Sequence, residues 1–94
     1  MTGKQRAALR SMCNTLAPVL QIGKGGVNEA FIAQLDEALE ARELVKVTVL
    51  ETAGIPAREA SAQLCAALHA EPVQCIGRKL SVYRRSENNP KIEL

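Results

Sequence analysis

The sequence predicts an α/β fold with elements in the order α-β-α-β-α-β-β, its helices packed on a four-stranded mixed sheet in a two-layer arrangement. Three observations predict it. Helical and period-2 hydrophobic patterns alternate along the chain. Pro or Gly stands at most boundaries between them. The 94 residues are 47% hydrophobic but only 2% aromatic. That is enough apolar surface for one packed domain, with a core drawn from Leu, Val, Ile and Ala. The domain is placed at residues 1–86 and a polar tail at 87–94.

Thr2 and Gln5 form a T-x-x-Q capping box, so the first helix starts there. Leu9, Met12, Cys13 and Leu16 follow as its buried stripe, with Arg6 and Arg10 together on one flank. Pro18 ends it. Val19 to Ile22 is a short strand, broken by Gly23-Lys24-Gly25-Gly26. A second helix runs from about Asn28 to Arg42 and buries Phe31, Ile32, Leu35, Ala38 and Leu39. Leu44 to Leu50 alternates, with Val45, Val47 and Val49 on one face and Lys46, Thr48 and Leu50 on the other. Thr52 to Ile55 is a turn, and Pro56 fits the first turn of a third helix reaching His69. Ala60, Leu64, Ala67 and Leu68 are its buried face. Pro72 to Ile76 and Leu80 to Arg85 are the last two strands, antiparallel because only Gly77, Arg78 and Lys79 join them. From Ser86 the chain is polar and is expected to fray.

Charge is nearly balanced at +2 but unevenly spread. Residues 1–28 carry four cations and no acid; residues 29–43 carry five acids and one Arg; residues 76–94 carry five cations against two acids. Basic segments on both sides of an acidic helix suggest a polyanionic partner. Three cysteines, Cys13, Cys65 and Cys75, have no CxxC spacing and lie in apolar runs. They read as small core hydrophobes, not as a disulfide framework or zinc set. No run approaches the roughly 20 apolar residues of a membrane span, and the start does not read as a signal peptide. The expected compartment is the cytoplasm.

No residue pattern asks for catalysis. His69 sits at a helix end, where it suits the dipole, and no GxSxG signature is present. The acids at 36, 37, 40 and 43 read as a solvated helix face. The Gly23-Lys24-Gly25-Gly26 loop is the sharpest feature. Between a strand and a helix start, its glycines permit close backbone approach, its amides and the helix N-terminus favour a phosphate, and Lys24 adds a cation. The same residues also make an ordinary glycine-rich turn. The loop is neither a Walker A sequence nor GxGxxG. Its GxxG form matches the backbone-clamping loop of KH domains. Lys4, Arg6 and Arg10 precede it, and Arg78, Lys79 and Arg84 flank the last hairpin; brought to one side they would read a phosphate backbone. Tyr83 either stacks on a base or packs against the sheet.

Several strings stand in a common order: PVLQIGKGGV over residues 18–27, ALEARELVKV over 38–47, QCIGR over 74–78 and VYRR over 82–85, after Lys4-Gln5-Arg6 and Leu9-Arg10. On these, across residues 2–86, the chain resembles the bacterial stand-alone CRM domain of YhbY-like RNA-binding proteins. The resemblance implies a fold similar to the C-terminal domain of translation initiation factor three. It implies binding of structured RNA through the GxxG loop and basic side chains, and association with precursors of the large ribosomal subunit. By position, Gly23, Lys24, Gly25 and Gly26 match the loop, and Arg6, Arg10, Arg78 and Arg84 match basic positions. The net charge of +2 is low for the group.

The leading expectation is therefore a non-enzymatic RNA-binding module with no cofactor, metal, membrane or small-molecule substrate. Lys4, Arg6, Arg10, Gly23, Lys24, Gly25, Gly26, Arg78, Lys79 and Arg84 are its candidate contacts, and ribosomal RNA is its partner. The alternative is a protein-interaction adaptor on the ribosome that uses the acidic helix. A small phosphate-handling enzyme using His69 is a third, weaker reading.

Overall fold

The structure, a computed structural model, describes residues 1–94. Helix α1 spans Gly3–Cys13, strand β1 Leu20–Ile22, helix α2 Glu29–Arg42 and strand β2 Leu44–Val49. A 3-10 turn at Glu51–Ala53 leads to helix α3, Ala57–Leu68, then strands β3, Glu71–Ile76, and β4, Lys79–Tyr83. The capping box at Thr2 forms: its hydroxyl accepts from the Gln5 amide, and the Gln5 side chain accepts from the Thr2 amide. Asn28 caps α2, and Pro56 is the residue before α3 rather than part of its first turn. His69 ends α3 in a left-handed conformation. The last strand stops at Tyr83, two residues earlier than expected: the Arg84 amide makes one more rung to the Glu43 carbonyl at 3.0 Å, but Glu43, at φ +67°, belongs to the end of α2 and not to β2.

The sheet is mixed, in the order β1-β2-β4-β3, with β1 and β2 parallel and the other pairs antiparallel. Val45, Val47 and Val49 meet Ile22, Leu80 and Val82 on one face, under Phe31, Leu35, Leu39, Ala60 and Leu64. Each fully buried Leu there contributes about 1.5–3 kcal/mol. Leu44 and Tyr83 belong to a different cluster, with Leu9, Cys13 and Val73. Successive strand residues point to opposite faces, so α1 lies across the face opposite α2 and α3. The sheet and the α2/α3 pair make the expected two layers, and α1 adds cover to part of the other side.

That cover is incomplete. It lies over the end where Leu44 pairs with Tyr83. Further along the same face, Lys46 pairs with Ser81, Thr48 with Lys79, and Gln21 with Thr48. This stretch is polar and only partly covered. Parallel pairing of β1 and β2 and antiparallel pairing of β4 also fix which loops meet. The turns after Ile22, after Val49 and between β3 and β4 all lie at one end of the sheet. The Leu50 amide donates to the Ile22 carbonyl at 2.9 Å, and the Val49 amide to the Arg78 carbonyl at 2.7 Å.

Two expectations are corrected. Cys75 is exposed on the edge strand, because β3 has a neighbour on one side only; Cys13 is buried and Cys65 half-buried. The residues after Arg85 do not fray. The amides of Glu87 and Asn88 donate to the Glu40 carboxylate, and those of Ser86, Lys91 and Ile92 to Glu43. Ile92 then packs on the α1 cluster.

Candidate nucleic-acid interface

The Gly23–Gly26 turn carries β1 into α2. The Gly26 amide donates to the Gly23 carbonyl at 2.9 Å, leaving Lys24 exposed at the corner. Gly26 has φ +63°, a left-handed conformation that glycine adopts without steric cost. A Cβ at residue 25 would lie 2.6 Å from the Asn28 side-chain nitrogen, so that side chain would have to move. Asn28 in turn accepts from the Phe31 amide at 2.8 Å, capping α2. One first-turn amide is therefore already satisfied, and Glu29 brings negative charge to that turn. Attraction for a phosphate at this place comes chiefly from the exposed turn and Lys24, less from the α2 dipole.

The topology brings Lys24, Arg78 and Lys79 to the same end of the sheet. β1 and β4 flank β2, so their ends are separated by two strand spacings, roughly 10 Å. Lys24 and Lys79 are exposed and in no ion pair. Arg78 pairs with Glu51 at 3.3 Å, but both side chains are exposed and such a pair holds little energy. Lys46 joins this group on the partly covered face, and sequence reading had passed it over as the polar side of a strand. Its ammonium donates to the Cys13 carbonyl at 2.7 Å, bracing the C-terminal end of α1. A lysine alternating with valines on one strand was the signal available.

Other candidates are placed elsewhere. Arg6 donates to the Pro72 carbonyl and pairs with Glu71 at 3.5 Å, tying α1 to β3 far from the glycine turn. Lys4 and Arg10 are exposed on α1 without ion pairs, Arg10 being nearer the end that Lys46 holds. Arg84 pairs with Asp36 at 2.7 Å and donates to the Leu68 and Asp36 carbonyls. It knits α2 to the end of α3 at the opposite end of the sheet from Lys24. Tyr83 is buried against Leu9 and Leu44, so its ring packs the sheet.

The acidic helix is largely engaged within the chain. Asp36 holds Arg84. Glu40 and Glu43 hold the tail, and their bonds draw both carboxyls below the usual range. For Glu40 the Ser86 hydroxyl acts first, with the Glu87 and Asn88 amides. For Glu43 burial pushes up, but the amides of Ser86, Ile92 and Lys91 and the charge of Arg85 outweigh it. His69 is exposed with no acid–base partner among the hydrogen bonds and ion pairs. Burial pushes the Cys65 thiol up, against nucleophilic use.

The sequence profile described as the CRS1/YhbY (CRM) domain matches residues 1–84. The chain is 44% identical over 94 residues to Bacillus subtilis YqeI, which is named a probable RNA-binding protein, covering 100% of this chain and 98% of that one. A Haemophilus influenzae protein named RNA-binding is 36% identical over 98 residues, covering 100% and 94%. A solution structure from Staphylococcus aureus, described as a candidate RNA-binding protein, superposes with a TM-score of 0.79 at 43% identity, covering 100% and 98%.

Proposed function

The chain belongs to the CRS1/YhbY (CRM) domain family, and on that premise we propose that it is a cytoplasmic RNA-binding module, without enzymatic activity, that takes ribosomal RNA and assists assembly of the large ribosomal subunit. The relatives named for RNA binding support the partner class. One observation carries the choice of surface: Lys24, Arg78 and Lys79 lie at the same end of the sheet as the partly exposed glycine turn, with Lys46 on the partly covered face. Phosphates are held by these cations and by the Gly23–Gly26 turn. The scarcity of aromatic side chains, with Tyr83 buried, favours a reader of backbone and shape over a stacking platform.

The adaptor reading is less favoured, because Asp36, Glu40 and Glu43 have partners in the chain and only Glu37 of its four acids is free.

Binding to fragments of large-subunit ribosomal RNA, measured across a salt series, tests the proposal. Lys24→Ala and Lys79→Ala should each flatten the slope of log affinity against log salt by about 0.7–0.9. An unchanged slope in both folded variants removes the proposed surface. Co-sedimentation with large-subunit precursors, lost in the same variants, tests the assembly role.

A further inference from the structure

We propose that the partly covered face of the sheet holds a pocket for a single unpaired nucleotide, beside the phosphate-gripping turn; this rests on the RNA-binding reading above. A groove of about 390 Å³ opens between the end of α1 and the β3–β4 hairpin. That size falls within the roughly 300–1,000 Å³ of small-ligand pockets. It suits one flat base and sugar.

The lining has the chemistry of base recognition. Asn14 and Gln74 each offer a carbonyl acceptor and an amide donor, the pairing groups that match the edge of a base. Ser81, only 1% exposed, places its hydroxyl at the floor. Ile76 is 65% exposed on the same face as Lys79, an apolar surface for the flat side of a base where no aromatic ring is offered. The cations Lys46, Arg78 and Lys79 complete the wall, and no carboxylate lines it. Lys46 spends one of its three protons on the Cys13 carbonyl and keeps two for a phosphate or ribose.

Position links the groove to the turn. Lys79 is two strands from β1, roughly 10 Å. Phosphates gripped at Lys24 and Lys79 would thus carry a nucleotide further along the strand to Gln74 on β3, a third strand spacing from β1, and to Asn14. Duplex RNA is poorly placed to use the pocket, since pairing occupies the Watson–Crick edges and the deep, narrow A-form major groove keeps side chains from the other edges.

Two RNA hairpins, identical except for a short unpaired bulge in one, provide the test by fluorescence anisotropy with the full chain. The wild type should favour the bulged hairpin by about tenfold, the discrimination expected of one good paired contact to a base edge. The double variant Asn14→Ala/Gln74→Ala, both at side chains outside the core, should lose most of that preference while its thermal melt stays in place. Lys24→Ala should weaken both hairpins by a similar factor and keep the preference. A preference that survives in the folded double variant overturns the pocket. So does a wild type that binds both hairpins equally while Lys24→Ala still weakens binding, and then the RNA-binding reading stands alone. Failure to bind either hairpin overturns both.

Discussion

Replacing Glu43 by Gln should release the C-terminal segment and destabilise the whole domain. Glu43 is fully buried, and its carboxylate accepts from the backbone amides of Ser86, Lys91 and Ile92. Hydrogen bonds to a charged acceptor are worth about 1.5–3 kcal/mol each. The gross value of three is therefore large, but two effects cap the loss. Gln keeps one acceptor oxygen, and a released tail regains backbone entropy of about 1–2 kcal/mol per residue while its amides return to water. A net cost of about 2 kcal/mol remains, including loss of Ile92 from the α1 cluster. Unfolding entropy of about 2.1 cal/mol/K per residue, over 94 residues, converts that into a Tm drop of about 10 °C. The assay is thermal denaturation of wild type and Glu43→Gln, each with and without residues 86–94. In the truncated chain Glu43 lacks its partners, so Gln should be neutral or stabilising there. Equal losses in both backgrounds would refute the clasp. Acid should act as the substitution does. The folded-state pKa of Glu43 lies below its unfolded value of about 4.3. Its contribution is thus present above that value and disappears as pH falls through the folded-state pKa.

Gly25→Ala should cost about 1 kcal/mol in urea unfolding, because its Cβ displaces the capping Asn28 side chain. Arg84→Gln should lower stability by about 1–2 kcal/mol through the lost Asp36 pair and carbonyl contacts, while the salt slope of RNA binding stays constant. Tyr83 is the sole Tyr in a chain without Trp, so its alkaline absorbance titration is clean. Burial first, and the Glu43 charge second, should place its midpoint above the ordinary value of about 10, with stability present below that value and lost as pH rises through the folded-state pKa. A midpoint at the ordinary value would show the ring to be solvated.

Much of the fold is written in local signals. The capping box at Thr2, the breakers at Pro18 and Gly23, and the alternation of β2 each act over a few residues, so their outcome follows from neighbours in sequence. The glycine turn was legible for the same reason. Which face α1 would cover was not, because its stripe of Leu9 and Cys13 satisfies either side of a sheet equally. Placing Arg84 with the site failed similarly: two arginines near a hairpin look alike until the register shows that one sits at the far end with Asp36.

The tail illustrates a deeper limit, and also a signal that was present. α2 passes into β2 through Arg42-Glu43-Leu44, with Glu43 at φ +67° and ψ −46°, close to the rare and strained classic γ-turn. A residue held in such a sparsely populated region costs about 1–3 kcal/mol, so something must offset it. Its own carboxylate does so by gathering amides from a segment more than forty residues later. Counting charges treats Glu43 as part of an acidic face, and Arg84 as part of a basic one. Folding removes both from the surface account: Asp36, Glu40 and Glu43 are bound internally, as are Arg6 and Arg84. The field at the loop end is therefore set by Lys24, Lys46, Arg78 and Lys79 against Glu29 and Glu51. A net charge of +2 is compatible with that field because opposite charges elsewhere neutralise one another within the fold.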